Sequence, residues 1–101
     1  MGLIMDVKDG VIGFAIADAL GVPVEFSTRK KMAEDPVVDM RGMGTYAQPV
    51  GTWSDDTSMV LATMGGIIES GGIDYDSIAN NFCLWASSKK YNAHDKLFDI
   101  G

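Results

Sequence analysis

The sequence has little of several residue types on which whole classes of protein depend. Cys83 is the only cysteine among 101 residues, so no disulfide can form within the chain, and this suits a reducing compartment. We expect Cys83 to pack in a core and the protein to be cytoplasmic. Lys and Arg number 8 against 14 Asp and Glu, a formal net charge of −6. That balance excludes a basic stripe for nucleic-acid phosphates.

Long apolar runs are missing as well, although 47% of the residues are hydrophobic. No uninterrupted stretch reaches the roughly 18–20 residues needed to span a bilayer. Near the start, Asp6, Lys8 and Asp9 interrupt a short apolar run, so we expect no secretory signal. The composition therefore predicts a globular chain of one domain, or part of one, without a membrane partner.

Helical spacing accounts for most of the apolar residues that are present. Over residues 7–20, Val11, Phe14 and Ala15 recur on one helical face, and Asp18 falls on that same face. We predict that Gly21 ends this helix as its left-handed cap, with Pro23 preventing continuation.

Three further helices complete the predicted fold class, which is all-α with about four helices. They cover residues 28–34, residues 57–70, and a segment capped by Asp74 or Asp76 that runs to about Ser88. Ile78 and Trp85 belong to the apolar stripe of the last helix. Residues 37–51 predict a long irregular loop, and loops of this length are more often functional than idle.

The end of that loop carries the main chemical signal of the chain. Residues 51–59, GTWSDDTSM, place two adjacent carboxylates between hydroxyls where a helix begins. Adjacent like charges repel unless a cation or several donors compensate them, and a hard divalent ion prefers oxygen ligands. The alternative is structural, because Ser, Asp and Thr are also preferred helix caps.

Two other segments join this one in a fixed order along the chain. They are residues 13–25, GFAIADALGVPVE, and residues 98–101, FDIG. Together the three segments resemble the ADP-ribosylglycohydrolase family, whose members carry Gly-x-x-x-Gly-Asp-Ala-x-Gly-x-x-x-Glu, then Gly-x-Trp-Thr-Asp-Asp-Thr, then an aromatic-Asp-Ile-Gly segment. This chain has Ala17 in place of the usual Gly and Ser54 in place of the usual Thr, which preserves a small residue and a hydroxyl.

The resemblance implies an all-helical enzyme that hydrolyses the glycosidic bond between ADP-ribose and an acceptor. It also implies a two-metal site for Mg²⁺ or Mn²⁺, which would orient the substrate and supply a nucleophilic water. An ADP-ribosylated protein or an ADP-ribose-like small molecule would be the partner. The roles implied are metal ligation by Ser54, Asp55 and Asp56, support by Asp18 and Thr57, and catalytic contact with the substrate by Glu25 and Asp99.

The chain departs from the family at the second half of the metal site. Members carry another Asp-x-Asp-Thr-like segment near their C-terminus, whereas the only other Asp-x-Asp here, at Asp74 and Asp76, lacks the following Thr. It also lacks the residues of a calcium-binding EF-hand loop. The lone His94 is a weak metal signal. We therefore interpret residues 1–101 as the N-terminal portion of the family domain, without the C-terminal part that carries the second ligand segment.

Three hypotheses follow, and the sequence leaves the question of activity open between them. The first is a hydrolase portion that needs a complementing chain for activity. The second is an inactive helical module for binding or assembly, derived from the same family, that self-associates through an exposed apolar face. The third is a plain helical domain in which the acidic pair is only a cap, so that Asp55→Ala would cost about 1 kcal/mol and change no binding.

Overall fold

The computed structural model describes residues 6–94, 97, 98 and 100, and in these ranges the chain is helical without β-strands. The elements are α1 (Val7–Gly21), a 3-10 turn (Val22–Val24), α2 (Arg29–Glu34), a second 3-10 turn (Gly44–Tyr46), α3 (Asp55–Ser70) and α4 (Tyr75–Ser87). The predicted all-α class with four helices is confirmed. Across the described residues, no helix combines the length and apolar character that crossing a bilayer requires. The chain divides into two compact units, Met1–Thr52 and Trp53–Gly101.

Helix α1 of the first unit ends differently from the prediction. Gly21 has φ −80° and is still helical, so it is not a left-handed cap. The backbone N–H of Val22 continues the helical ladder by donating to the carbonyl of Asp18. Pro23 has no N–H to donate, so the ladder stops there and the chain tightens into the 3-10 turn. Proline, and not glycine, therefore ends the helix.

The predicted apolar face of α1 is only partly covered. The buried residue of helix α1 is Ala19, whereas the Phe14 side chain on the predicted face is 46% exposed. In the described part of the first unit the other α-helix, α2, has six residues and its own residues are exposed or half-buried. A helix this short offers little surface against which the longer helix can pack.

The two 3-10 turns of the first unit contact each other closely. Gly44 has φ +67°, and a Cβ atom there would lie 2.0 Å from the carbonyl oxygen of Pro23, so only glycine fits. The hydroxyl of the neighbouring Thr45 donates to the carbonyl of Glu25 at 2.7 Å. These contacts hold the backbone on which Glu25 is carried.

The loop of residues 37–51 is irregular, as predicted, but it is anchored at several points. The Arg41 guanidinium contacts both carboxylate oxygens of Asp35, at 2.9 and 3.0 Å, and donates to the carbonyl of Pro36 at 2.8 Å. An isolated antiparallel bridge joins Met43 to Gln48. The loop is thus tied by a bidentate ion pair and by backbone bonds.

The second unit is a helical hairpin of α3 and α4 in close contact. Gly71, with φ +77°, ends α3 in the left-handed conformation typical of a glycine cap. A Cβ atom on Gly66 would lie 2.8 Å from the Ile78 side chain, so the helices approach closely at this glycine. The buried Asn81 amide donates to the carbonyl of Ala62 at 3.1 Å across the same contact.

One side of α4 is buried and the opposite side is not. Trp85 is 4% exposed, which confirms its predicted role in packing, and its indole N–H donates to Asn92 at 3.0 Å. Cys83 is exposed, so the expectation that it packs in a core is wrong. Cys83 lies two residues before Trp85, which is a rotation of about 200° around the helix. Its side chain therefore faces away from the buried side.

The buried set of the described residues is unusually polar. Its apolar members are Ala19, Val22, Pro23, Ala62 and Trp85, its polar members are Thr52, Ser54, Thr57, Ser58 and Asn81, and Gly66 is also buried. Among the described residues, every buried side-chain nitrogen and oxygen has a hydrogen-bond partner. Large apolar side chains remain outside, with Phe26 at 83% and Val38 at 90% exposure. Hydrogen bonding therefore contributes much of the specificity of this core.

Candidate active site

The acidic pair lies in the first turn of α3, which begins at Asp55, two residues earlier than predicted. Ser54 precedes the helix in an extended conformation, and its hydroxyl accepts from the backbone N–H of Asp56 at 3.2 Å. This bond makes Ser54 the N-cap, because it satisfies one of the N–H groups that the first turn leaves unpaired. The cap is therefore the serine and not an aspartate.

The three predicted metal ligands differ in exposure. Ser54 is 6% exposed, Asp55 is half-buried, and Asp56 is exposed to solvent. Consecutive helical residues point about 100° apart, so the two carboxylates diverge from the helix start. Thr57, the predicted supporting residue, is 1% exposed. The turn thus carries carboxylate and hydroxyl oxygens, the donor type that Mg²⁺ and Mn²⁺ prefer.

A set of contacts that the sequence did not predict holds this turn in place. The Trp53 indole N–H contacts the Ser58 hydroxyl at 3.2 Å and the carbonyl of Tyr91 at 3.3 Å. The Ser58 hydroxyl donates to that same carbonyl at 2.7 Å. The spacing of Trp53 and Ser58 on either side of a cap residue is a signal that sequence reasoning missed.

The chain enters α3 through a tight turn at the end of the first unit. The backbone N–H and the hydroxyl of Thr52 both donate to the carbonyl of Pro49, at 3.3 and 2.8 Å. Gly51 lies within this turn at φ +84°, a conformation that favours glycine. The Gly-x-Trp spacing of the motif is therefore explained by the turn that delivers the chain.

Asp18 and Glu25, the other predicted site residues that the structure describes, both lie in the first unit. Asp18 is half-buried in the last turn of α1, and Glu25 is half-buried directly after the 3-10 turn. A pocket of about 200 Å³ in the same unit is lined by residues that include Val24, Ser27 and Lys31, and neither Asp18 nor Glu25 is among them. The predicted roles of Asp18 and Glu25 therefore stay predictions.

The remaining predicted residues give no assembled metal centre. Asp99 lies outside the described residues, and His94 is exposed. In the described ranges 6–94, 97, 98 and 100, no three His, Cys, Asp or Glu side chains lie close enough together to hold a metal ion. As a hydroxyl and two carboxylates, Ser54, Asp55 and Asp56 are chemically suited to part of such a site.

Comparison with known proteins identifies the class to which this all-helical chain belongs. The family model of ADP-ribosylglycohydrolases matches residues 3–101. The chain belongs to the ADP-ribosylglycohydrolase family. The resemblance inferred from three sequence segments is confirmed.

Curated relatives agree with this assignment. The ADP-ribosylarginine hydrolase Tri1 of Pseudomonas putida (strain GB-1) is 35% identical over 94 residues, which is 93% of this chain and 24% of that protein. The protein of the same name from Serratia proteamaculans (strain 568) is 34% identical over 94 residues, with 93% and 25% covered. The ADP-ribosyl-[dinitrogen reductase] glycohydrolase of Rhodospirillum rubrum is 35% identical over 80 residues, with 77% and 27% covered. The chain spans about a quarter of the length of these relatives.

Proposed function

We propose that this chain supplies the acidic turn of an ADP-ribosylglycohydrolase, an enzyme that hydrolyses the glycosidic bond between ADP-ribose and an acceptor. The observation that carries the proposal is the turn itself, with the hydroxyl of Ser54 and the carboxylates of Asp55 and Asp56 at consecutive positions. Family membership over residues 3–101 supports the reaction type. An ADP-ribosylated protein, with arginine as the first acceptor to test, is the substrate class that the relatives support.

Within this proposal Ser54, Asp55 and Asp56 are ligands of a Mg²⁺ or Mn²⁺ ion. When bound, the ion supplies Lewis-acid chemistry that orients the substrate and activates a water molecule. The protein's own part is to hold three oxygen ligands at a capped helix start. Two carboxylates suffice for a site of this kind where water and substrate phosphate oxygens complete the coordination, and ADP-ribose carries a diphosphate.

The other residues have supporting and substrate-facing roles in the proposal. The supporting residues of the proposal are Thr57, which is buried in the first turn of α3, and Asp18, which is half-buried in the last turn of α1. Glu25 and Asp99 face the substrate as catalytic groups. The backbone of Glu25 is held by Thr45, which supports a fixed location for this acid. We propose the cytoplasm as the compartment, since the single cysteine suits reducing conditions.

Titration calorimetry of Mn²⁺, Mg²⁺ and ADP-ribose into the 101-residue chain tests this function. The double substitution of Asp55→Asn and Asp56→Asn is expected to weaken metal binding at least tenfold. The matched control is Asp74→Asn with Asp76→Asn, which removes the same two charges from the start of α4, and Asn keeps a good cap there. Equal affinity in the wild type and the Asp55/Asp56 variant would refute the proposed ligands.

A second candidate function is a catalytically inactive helical module for binding or assembly, derived from the same family. The observation that favours it is the exposure of large apolar side chains, which include Phe26, Val38 and Ile68 at 83%, 90% and 76%. Exposed apolar surface is commonly covered by a partner or a second copy. Sedimentation analysis is expected to show concentration-dependent association under this hypothesis, and a monomer at high concentration would contradict it.

A further inference from the structure

Three groups of the second unit meet at one point beside the acidic turn. The Tyr91 carbonyl lies 2.7 Å from the Ser58 hydroxyl and 3.3 Å from the Trp53 indole nitrogen, which itself lies 3.2 Å from that hydroxyl. We call this set the Trp53–Ser58–Tyr91 triangle. The Ser58 hydroxyl both donates and accepts within it, and Ser58 is 2% exposed. A buried hydroxyl used in both directions has little freedom to reorient.

Two members of the triangle, Trp53 and Ser58, flank the acidic turn in the sequence. Trp53 immediately precedes the cap Ser54, and Ser58 is the fourth residue of α3. A contact between these two positions fixes the angle at which a chain enters a helix, and it is usually hydrophobic. Here it is a hydrogen bond, with a third group outside the helix bonded to both members. The four residues between Trp53 and Ser58 are therefore fixed at both ends to one carbonyl.

The third group is itself held in an uncommon conformation. Tyr91 has φ +68°, a region that non-glycine residues rarely occupy unless the surrounding structure holds them there. The neighbouring Asn92 accepts from the Trp85 indole at 3.0 Å. On the other side, a Cβ atom on Gly65 would lie 2.4 Å from the Tyr91 hydroxyl, so this glycine provides the space for the phenol. The carbonyl is thus held from both sides.

We propose that the Trp53–Ser58–Tyr91 triangle positions the acidic turn for metal binding. This inference rests on the proposed function, since the orientation of Asp55 and Asp56 matters only if they bind an ion. Trp53 and Ser58 are positioning residues, acting through the backbone of the turn. Groups that orient metal ligands in this way commonly change metal affinity 10–100-fold when they are removed.

The test compares hydroxyl removal at two places on α3. Ser58→Ala deletes the centre of the triangle, and Ser58→Thr retains a hydroxyl. Thr63→Ala is the matched control, because the Thr63 hydroxyl donates to the Met59 carbonyl at 2.8 Å within the helix. Trp53→Phe keeps an aromatic ring and removes the indole N–H, so it provides a second variant if Ser58→Ala fails to fold.

Two quantities are measured on the 101-residue chain. Mn²⁺ affinity comes from the electron paramagnetic resonance signal of the free ion, and hydrogen exchange of the Trp53 indole N–H comes from NMR. Ser58→Ala is expected to weaken Mn²⁺ binding about tenfold and to speed indole exchange. Trp53→Phe should weaken Mn²⁺ binding in the same direction. Ser58→Thr should restore both quantities, and Thr63→Ala should change neither.

The outcomes separate this inference from the function on which it rests. Wild-type Mn²⁺ affinity in folded Ser58→Ala or Trp53→Phe, with indole exchange accelerated in the former, would overturn the positioning role and reduce the triangle to a structural contact. Absence of Mn²⁺ binding by the wild-type chain would instead overturn the proposed function and the positioning role together. An equal loss of affinity in Thr63→Ala would also overturn the inference, because it would show a general effect on α3.

Discussion

Helices α3 and α4 begin with nearly the same local pattern but in different surroundings. At α3 the Ser54 side chain accepts from the N–H of Asp56 at 3.2 Å, and at α4 the Asp74 side chain accepts from the N–H of Asp76 at 3.1 Å. Both helices carry an acid in the first turn. Considered locally, each is an acidic, well-capped helix start.

The two starts differ in what surrounds the cap. Ser54 is 6% exposed, and its helix is bonded through Ser58 to a carbonyl 33 residues further along the chain. Asp74 is exposed, and its second carboxylate oxygen accepts from Ser77 only three residues away. An acidic helix start is common, whereas one whose entry angle is fixed by distant groups is suited to hold ligands in one orientation. Tertiary contacts, and not the acids alone, distinguish the candidate site.

Filling the space that the Tyr91 phenol occupies beside Gly65 should disrupt the contacts of Trp53 and Ser58 with the Tyr91 carbonyl, which distinguish the start of α3 from that of α4. Gly65→Ala places a Cβ atom 2.4 Å from the Tyr91 hydroxyl, so we expect a loss of about 2 kcal/mol in the free energy of unfolding, within the range of overpacking. Urea denaturation measures it. Gly10→Ala in α1 is the control, since nothing lies within 4 Å of its Cβ position, and it should stabilise by about 0.5–1 kcal/mol. A Gly65→Ala protein as stable as the wild type would show that the close packing of Tyr91 on Gly65 does not stabilise the start of α3.

Charge removal at the two helix starts should have unequal effects on metal binding. Asp55→Asn with Asp56→Asn should weaken Mn²⁺ binding at least tenfold, which corresponds to about 1.4 kcal/mol. Asp74→Asn with Asp76→Asn should leave the affinity within about twofold, since those carboxylates lack the distant orienting contacts. Calorimetric titration decides between them. Equal losses would indicate nonspecific attraction of the cation to an acidic protein.

Removal of each cap should also cost different amounts of stability. Ser54→Ala is expected to lower the free energy of unfolding by about 2 kcal/mol, because the cap is buried, and Asp74→Ala by about 1 kcal/mol, because water can replace an exposed cap. Chemical denaturation of both variants measures the difference. A larger loss at Asp74 would show that burial does not control the strength of these caps.

The smallest effect is expected at the surface ion pair between the last turn of α3 and the segment that follows α4. Lys90 lies 3.8 Å from Glu69, and both side chains are about half exposed, at 47% and 53%. Exposed pairs of this type contribute little, so Lys90→Met should change the free energy of unfolding by less than about 0.5 kcal/mol. The measurement is thermal unfolding at low and high salt. A salt-dependent loss above 1 kcal/mol would indicate that Lys90 holds the Tyr91 turn, over whose ring its ammonium lies at 5.2 Å.

Local sequence pattern was sufficient to predict where the helices lie, but it did not predict which of their residues are buried against a neighbour. Apolar periodicity and capping residues predicted the starts of α2, α3 and α4 within two residues of those observed, since a cap acts over one turn. Gly21 and Cys83 were misjudged for a shared reason. Helix α1 ends because of Pro23, two residues beyond Gly21, and Cys83 is exposed because it lies on the side of α4 that faces away from α3. Neither outcome follows from the residue type of Gly21 or Cys83 alone.

The all-α class, the family and the acidic turn could be predicted from the amino-acid sequence, because they depend on periodicity and on ordered short segments. The hydroxyl and amide side chains buried in the second unit, and the contact of Trp53 and Ser58 with the carbonyl of Tyr91, became visible only in the folded structure. A hydrogen bond between residues 33 positions apart leaves no periodic trace in a sequence, since it depends on how two helices and a turn pack in space.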